Sequence, residues 1–582
     1  MGMGVTTDLP RPQERASRPP VARVSVPGIV LGVAALLLLL IVGYPLLWLL
    51  LGALGLPQER TLAYIANVFT QSRNATPLKN TLILAMGTGI GSVVLGVPLA
   101  WATARTDMPF GRFIHAMVAL SFIAPPYLTT LAYIILLGPN AGHINRLLRW
   151  LFHLDHGPIN IFSMGGIIFV ISLHVMAFPY LLTQSALQTL DAPLEESAQI
   201  LGASRWTITR RVTLPLVAPA ITGGALLAAV ESLALFGPQA FLGSPAQLVF
   251  LPTRIYGVLG SYPPHFADAS ALSLLLVLLT VIGLTVQRRF LDRRSFVTVS
   301  GRGVRTRRAR LGRGRWGLLA LCLLIVLFSA LLPLGVLVAA AFSKSWTDPL
   351  TPGNFTLHNF HTALVGNQIA RRGIENSFKL AFGAATLGAI LGLFIAYLDQ
   401  RTTIRGRRVL DYLAILPLGL PGTVLAVGLL QAFIRPPFRL YGTIWILLVA
   451  YIARHIPLAV RSASGALRQV DPSLEEAARI TNATWLQSLR LILIPLLRSS
   501  LVVAWLLIFI PSLGELSATI LLYTSGTETI AVAIFRLNDL GQLEAVSALA
   551  VFTIAIILLT TLLLQWLVNK RGTDVAREIS VG

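Results

Sequence analysis

Two segments of the sequence share one pattern of acidic, small and turn-forming residues. The first contains Glu195, Glu196, Ser197, Ala198 and Gly202, and the second contains Glu475, Glu476, Ala477, Ala478 and Asn482. Carboxylates in a first helical turn are favoured by the helix dipole. Small side chains allow a partner to approach closely, and glycine and asparagine tolerate the left-handed backbone that ends a helix. The pattern predicts a surface helix, a turn and a second helix, and its chemistry is that of docking.

The surroundings of both segments strengthen this interpretation. Each follows an aspartate, Asp191 or Asp471, which is a good N-cap, and a proline lies within the next two residues, where its missing N–H costs little. Each also ends on a proline, Pro215 or Pro495, at identical spacing. One copy could be an ordinary amphipathic surface helix. Two copies at equivalent places favour a docking surface for a partner.

The composition indicates the kind of fold that positions these two segments. The chain has 582 residues, of which 55% are apolar and 12% charged, and its mean hydropathy is +0.74. Soluble proteins are about 25% charged, and disordered chains have low hydrophobicity. A single cysteine, Cys322, excludes a disulfide scaffold and is interpreted as inert packing. The fold class predicted is an all-α integral membrane protein, because open strands cannot satisfy their backbone in lipid.

Twelve stretches are long and apolar enough to cross a bilayer. In the first half they are 28–54, 80–104, 113–137, 166–188, 214–242 and 268–286. In the second half they are 316–342, 376–398, 409–434, 441–466, 493–522 and 543–568. The predicted domains are therefore a disordered tail (1–27), a first membrane-spanning half (28–286), a basic linker (287–315), a second membrane-spanning half (316–568) and a tail (569–582). The first stretch is too long for a cleavable signal peptide.

Charge predicts the orientation of these spans. With both termini inside, the inner segments carry 30 of the 46 lysines and arginines, as the positive-inside rule requires. The linker alone has eleven arginines and one aspartate, so it contributes much of the net charge of +22. We interpret that charge as an anchor at a bilayer surface. Nucleic acid is not expected as a partner.

The two halves resemble each other in sequence. Asn80 and Pro125 recur 296 residues later as Asn376 and Pro421, and the docking segments recur at an offset of 280. Each half has an even number of spans, so the copies share one orientation. This is a parallel repeat about an axis along the membrane normal, and it places the substrate path between the halves.

With these motifs the chain resembles the permease subunits of bacterial ATP-binding-cassette importers, whose cytoplasmic coupling motif is E-A-A, three residues, G, nine residues, I-x-L-P. Ser197 replaces the first alanine in the first copy, and Asn482 replaces the glycine in the second. The resemblance implies a fused two-domain permease in the bacterial inner membrane, both termini cytoplasmic. It implies two ATPase subunits on the coupling segments, a periplasmic binding protein on the other side, and ATP and magnesium on the ATPase, with no cofactor on this chain.

The subfamily resemblance is to ferric iron permeases, carried by Asn80, the Pro125–Pro126 pair, 420–424 and 231–237. Related permeases for thiamine, phosphonates or polyamines share much of the pattern and remain alternatives. Where the family often has an aspartate before Phe-Gly, this chain has Leu235.

The in-span candidates for the path are Glu231, Glu515, Pro125 and Pro421. Glu231 and Glu515 are selected because ionisable groups inside spans are functional by default, and the two prolines occupy equivalent places in the repeat. For Glu231 and Glu515 an interhelical hydrogen bond or a position at the outer interface is the equal alternative. For His174, Arg454 and His455 structural pairing is favoured. Paired histidines in the outer loops, such as His153 and His156, are not expected to bind metal.

The chain is not expected to be an enzyme. It has four lysines, and none lies in a Gly-Lys-Ser/Thr phosphate-binding loop. Energy must then come from a separate ATPase or from an ion gradient. A gradient-driven secondary transporter is therefore the alternative from another class, since it too can combine twelve spans with a parallel repeat. A membrane enzyme would need an acid–base or metal constellation that the sequence does not offer.

Overall fold

The computed structural model describes residues 26–56, 62–190, 192–292, 309–348, 351–403 and 405–581. Most of the N-terminal tail, most of the basic linker and Asp191 lie outside these ranges. Within the described ranges the regular structure is helical, with two isolated β-bridges, Thr106 to Ala309 and Ser343 to Phe355.

Up to twelve spans are present in the described part of the chain: nine single helices and three pairs of helices joined at a bend. In the first half the spans are Gly28–Ala53, Ser72–Arg105, Gly111–Ile123 with Pro126–Leu137, Met164–Val175 with Ala177–Thr189, Trp206–Ala234 and Phe266–Phe290. In the second half they are Gly314–Ala341, Gln368–Arg401, Arg407–Gly419 with Gly422–Phe433, Ile444–Leu467, Trp485–Leu513 and Leu543–Leu564. The predicted all-α membrane fold with two six-span halves is confirmed.

The third and ninth spans are not the continuous helices that the sequence predicted. Their two parts meet at 100° and 117°. The bends lie at Pro125 and Pro421, which are both extended (ψ 130° and 142°) and begin the second part of each span. A residue before proline avoids helical geometry, and proline cannot donate its own backbone hydrogen bond. The same residue therefore breaks the same span in both copies.

The fifth and eleventh spans end earlier than predicted, at Ala234 and Leu513. Short helices follow each of them: Phe236–Gly243 and Leu251–Leu259 in the first half, Thr519–Leu522 and Ile530–Asp539 in the second. The predicted limits 214–242 and 493–522 therefore join two elements each. Leu235, with extended backbone, and Gly514 mark the breaks.

In each half, a hydroxyl near the start of the second or eighth span forms a hydrogen bond with the first residue of one of these short helices. The hydroxyl of Thr81 accepts the N–H of Leu251 at 2.9 Å, and that of Ser377 accepts the N–H of Ile530 at 2.9 Å. Each hydroxyl follows an asparagine whose amide donates to the same loop. The repeat detected in the sequence is thus a repeat of contacts.

Glycines let the second and fourth spans of each half touch. A Cβ on Gly96 would lie 2.5 Å from the carbonyl oxygen of Met176, and one on Gly392 would lie 2.5 Å from the Cβ of Ala459. The two glycines are 296 residues apart, which is the offset of Pro125 and Pro421.

The first and seventh spans cross to the opposite half, and we call them the crossed spans. Leu38 and Val42 of the first span are fully buried in a core cluster built from the second half. Cys322 and Val326 of the seventh span are fully buried in a cluster with Leu99 and other residues of the first half. Each half of the sequence therefore completes the core of the other.

Candidate coupling and translocation site

The first coupling segment, residues 192–213, is a helix, a turn and a helix, as predicted. The helix Ala192–Ile200 ends at Gly202, whose φ of +83° lies in the left-handed region. The N–H of Ala203 bonds back to the carbonyl of Ala198 at 3.0 Å, which closes the turn. The chain continues through Arg205–Ile208 and a wide π-helical turn, Thr209–Thr213, into the fifth span.

The second coupling segment, residues 471–493, has the same construction. The helix Ser473–Ile480 ends at Asn482, with φ +59°, so asparagine adopts the conformation that glycine has in the first copy. Asp471 accepts the N–H of Ser473 at 2.9 Å, and this bond holds the pKa of its carboxyl below the ordinary value. The N-cap position of this helix is Pro472, and Asp471, predicted as the N-cap, lies one residue before it.

The first glutamate of each pair points into the protein. Glu475 Oε1 lies 3.2 Å from Nε of Arg401, and its other oxygen accepts the hydroxyl of Tyr397 at 3.0 Å. Glu195 Oε2 lies 3.6 Å from Nη1 of Arg105. Both arginines are the last residues of their spans, the eighth and the second. Each coupling segment is therefore tied by an ion pair to the end of a spanning helix.

These arginines were missed in the sequence, although a signal for them exists. Arg105 and Arg401 are 296 residues apart, the same offset that relates Pro125 to Pro421. In the sequence alone, both count among the inner-loop arginines that set the orientation of the spans. The repeat offset, applied to every charged residue, would have selected them.

The outer surface of the segments is apolar as well as acidic. Ile200 and Leu201 are 85% and 87% exposed, and Ile480 is 82% exposed. Glu476 is exposed beside them, whereas the side chain of Glu196 is outside the described part of the structure. Of the small residues, Ser197 and Ala477 face outward, Ala478 is buried and Ala198 is half-buried. The surface open to a partner is thus narrower than the sequence predicted, with large aliphatic side chains at its edge.

A second charged cluster lies inside the spans, where the halves meet. Nε of Arg454 lies 2.7 Å from Oε2 of Glu515, and Oε1 of Glu515 accepts the N–H of Ala518 at 3.0 Å. His455 Nε2 lies 4.0 Å from the same carboxylate. Glu231, the other acidic path candidate, is half-buried in the fifth span. The structural pairing predicted for Arg454 is present, with Glu515 as its partner.

The two span breaks lead to this cluster. A Cβ on Gly514, the residue before Glu515, would lie 2.7 Å from Cγ of Pro125 in the other half. A Cβ on Gly422, the residue after Pro421, would lie 2.7 Å from Nη1 of Arg454. Three of the four path candidates, Glu515, Pro125 and Pro421, therefore lie close to Arg454, and Glu231 lies in the fifth span. Their role in a path stays a prediction.

The remaining sequence candidates are spread out. In the described residues no group of three or more histidine, cysteine, aspartate or glutamate side chains is placed to hold a metal ion. His143 contacts Arg146 at 2.7 Å, and His174, buried in the fourth span, bonds to the carbonyl of Ser121 at 3.1 Å. Cys322 is a buried free thiol.

Known proteins carry the same architecture. The binding-protein-dependent transport system inner membrane component family matches residues 92–296 and again 388–572. The chain is 26% identical to the ferric transport system permease protein FbpB of Actinobacillus pleuropneumoniae, over 87% of this chain and 73% of that protein. It is 25% identical to the probable ABC transporter permease protein y4fN of Sinorhizobium fredii, over 81% of this chain and 83% of that protein.

A shorter relative matches about half of the chain. The putative 2-aminoethylphosphonate transport system permease protein PhnV of Salmonella paratyphi A is 31% identical over 45% of this chain and 97% of its own length. One half here therefore corresponds to a whole permease there. Two family domains in one chain, each with a coupling segment and the same broken third span, identify this protein as a member of the binding-protein-dependent inner membrane transport family, a fused permease of an ABC importer.

Proposed function

We propose that this chain forms the whole membrane path of an ATP-driven importer for ferric iron. Two ATPase subunits, which carry ATP and magnesium, dock on the coupling segments, and a periplasmic binding protein delivers the cargo to the opposite face. The observation that carries the proposal is the pair of matching coupling segments, each tied by an ion pair to a spanning helix. The termini and the basic linker lie on the cytoplasmic side, and residues 28–286 and 316–568 act as the two permease domains.

The ion pairs suggest how force passes from the ATPase to the path. When the ATPase subunits close, they draw the two coupling segments together. Glu195 pulls on Arg105 and Glu475 on Arg401, so the inner ends of the second and eighth spans follow. Glu196, Glu476, Ser197, Ala477 and the aliphatic residues beside them make the contact with the ATPase. Rigid transmission needs a buried carboxylate that hydrogen bonds hold in place, and Glu475 is buried and accepts the hydroxyl of Tyr397 with its other oxygen.

The acidic groups inside the spans suit a cationic cargo. Glu515 is paired with Arg454, and Glu231 in the fifth span carries a second carboxylate. The breaks at Pro125 and Pro421 supply the backbone irregularity that a path through lipid tolerates only where it lines a cavity or is buried in protein.

Ferric iron is favoured over the related cargoes by the length of the match. The ferric relative aligns with 87% of the chain, through both halves and the linker, whereas the aminoethylphosphonate relative aligns with 45%. Thiamine, phosphonates and polyamines become outcomes of the transport test.

The test of coupling is uptake in proteoliposomes that contain this chain, its ATPase and its binding protein. Glu196→Ala combined with Glu476→Ala should reduce uptake at least tenfold and weaken or uncouple ATP hydrolysis. Glu375→Ala is the matched control, because Glu375 is an exposed glutamate in the second half that pairs only with surface cations. Undiminished uptake in the double variant would contradict the coupling role.

The test of cargo uses the same vesicles. Uptake of ferric iron should require ATP and the binding protein and should survive a protonophore. Uptake of 2-aminoethylphosphonate, thiamine or a polyamine in place of iron would overturn the assignment of cargo. Uptake that survives without ATP and stops with the protonophore would support a secondary transporter instead.

A further inference from the structure

An amphipathic helix lies between the third and fourth spans with its apolar face outward. The helix is His143–Phe152. Trp150 is 75% exposed, and Leu147 and Leu151 are more than half exposed. Positions 147, 150 and 151 are three and four residues apart, so they share one helix face. Nothing in the described part of the protein covers this face.

The polar residues of this helix face the protein. Asn145 is fully buried, and its amide donates to the carbonyls of Leu137, Gly138 and Ile159 at 2.8–3.0 Å. Its side-chain oxygen accepts the N–H of Ile159 at 3.1 Å. The helix is therefore fixed by its polar side and presents its apolar side, which is the reverse of a water-facing surface helix.

Both arginines of the helix are also engaged with neighbouring groups. Arg146 donates to the carbonyl of Thr347 and contacts His143, while Arg149 donates to the carbonyl of Asn140 at 3.0 Å. Their charges are drawn to the protein side of the helix. The outward face is thus left with aliphatic and aromatic groups alone.

The helix lies at the level where several spans end. The ring of His143 packs edge-on against Trp346, just beyond the end of the seventh span at Ala341. The backbone N–H of Trp346 donates to Glu544, in the first turn of the twelfth span. These span ends are on the face of the molecule opposite the coupling segments, because the fourth span begins beside this helix and ends next to the first coupling segment.

We propose that this helix rests on the bilayer surface and inserts its apolar face among the lipid headgroups and upper acyl chains. An exposed tryptophan beside leucines is typical of an interfacial helix. Phe152 and Leu154, which follow on the way to the fourth span, are also exposed. An exposed apolar helix face at the level of the span ends is most economically covered by the lipid that surrounds the spans.

The helix makes the molecule asymmetric in the membrane. The corresponding connection of the second half, residues 435–441, is too short to contain a helix of this length. Only the first half therefore rests on the lipid in this way. The helix fixes the height and tilt of the bent third span, whose outer end at Leu137 and Gly138 it holds through Asn145.

The experiment measures what surrounds the face in a lipid nanodisc. Cys322→Ser removes the single cysteine, and Leu151→Cys then carries a nitroxide spin label. Collision with oxygen, which concentrates in lipid, should exceed collision with a water-soluble nickel chelate at least threefold. Leu147→Cys, on the same face, is a second site should the first variant fail to fold.

Two controls define the scale. Leu559→Cys lies in the twelfth span and is 71% exposed, so its label should report lipid. Ile480, on the second coupling segment, is an apolar residue that is 82% exposed. Without the ATPase, a label on Ile480→Cys should report water. Labels at 151 and 147 that match Ile480 would overturn the proposal. The same result followed by protection on adding the binding protein would assign the face to that protein.

Discussion

The two inward glutamates show one pairing in two environments. The side chain of Glu475 is 8% exposed, and its carboxylate also accepts the hydroxyl of Tyr397. The side chain of Glu195 is 24% exposed, and its carboxylate accepts the hydroxyl of Thr213. A partner removed from a buried pair leaves an uncompensated charge, and that loss is screened where water reaches the group. The second coupling segment is accordingly the more sensitive of the two.

Arg401→Met should therefore loosen its segment more than Arg105→Met loosens the other. Leaving Glu475 buried and unpaired costs about 3–5 kcal/mol in comparable sites. We expect amide exchange in residues 473–480 to accelerate at least tenfold, and exchange in 195–200 to change less in the matched variant. The measurement is hydrogen exchange by mass spectrometry in nanodiscs. Equal acceleration in both variants would show that burial does not set the difference.

The ion pair between Arg454 and Glu515 offers a test that separates stability from transport. Arg454→Met leaves Glu515 without its ion pair and should lower the unfolding midpoint in detergent clearly, since a broken buried pair costs about 3–5 kcal/mol. Adding Glu515→Leu should recover most of that loss, because an apolar pair of similar volume is often neutral. Transport should stay impaired in the double variant if the charges serve the path. Recovery of uptake together with stability would assign the cluster a structural role alone.

At the residue scale, the sequence selected the charged groups inside the spans but not their partners. In-span charges stand out against lipid, so Glu231, Glu515 and Arg454 could be selected. Arg454 and Glu515 are on different spans, and no spacing rule relates them. The repeat offset could have selected Arg401, but no spacing rule joins it to Glu475.

Among the elements, the coupling segments were predictable because capping, turn and small-residue positions are local rules. The broken third and ninth spans were not, because hydropathy averaged over a span is insensitive to its direction. Pro125 and Pro421 were visible, but proline inside a membrane helix is compatible with a continuous span. The equal positions of the two prolines in the repeat were the stronger hint.

The glycine contacts between spans give a matched pair of element-scale variants. Gly96→Val and Gly392→Val should each destabilise by about 1–3 kcal/mol, because backbone or Cβ atoms of the fourth or tenth span occupy the required space. Gly335→Val is the control, since nothing lies within 4 Å of a Cβ there. Thermal unfolding in detergent measures the shift. A control as unstable as the two variants would point to helix propensity rather than packing.

For the whole molecule, the parallel repeat was predicted correctly and the crossed spans were not. Repeats leave a signature in residue identity, whereas lipid-facing and protein-facing positions of a span are both apolar. Leu38 and Val42 read as ordinary lipid-facing residues, although they complete the core of the second half. No property of a single span states which half it joins.

The crossed spans predict that the halves stay together after the linker is cut. A protease site inserted between residues 296 and 300 should allow complete cleavage while both fragments elute as one particle in mild detergent. Each fragment keeps a span buried in the other, so separation would expose both core clusters. Size-exclusion chromatography followed by gel electrophoresis gives the answer. Fragments that elute apart would mean that the linker, not the crossing, holds the halves.

The crossed spans also set an order of events during synthesis. The first span leaves the ribosome early, but its packing partners in the second half, Leu425 and Leu429 among them, are made only after the seventh and eighth spans. Until those spans are made, Leu38 and Val42 lack these packing partners. The first half therefore cannot complete its packing by itself. For most of translation, its first span is exposed to membrane quality control without its final partners. Assembly of this importer is completed from its last-made spans backward.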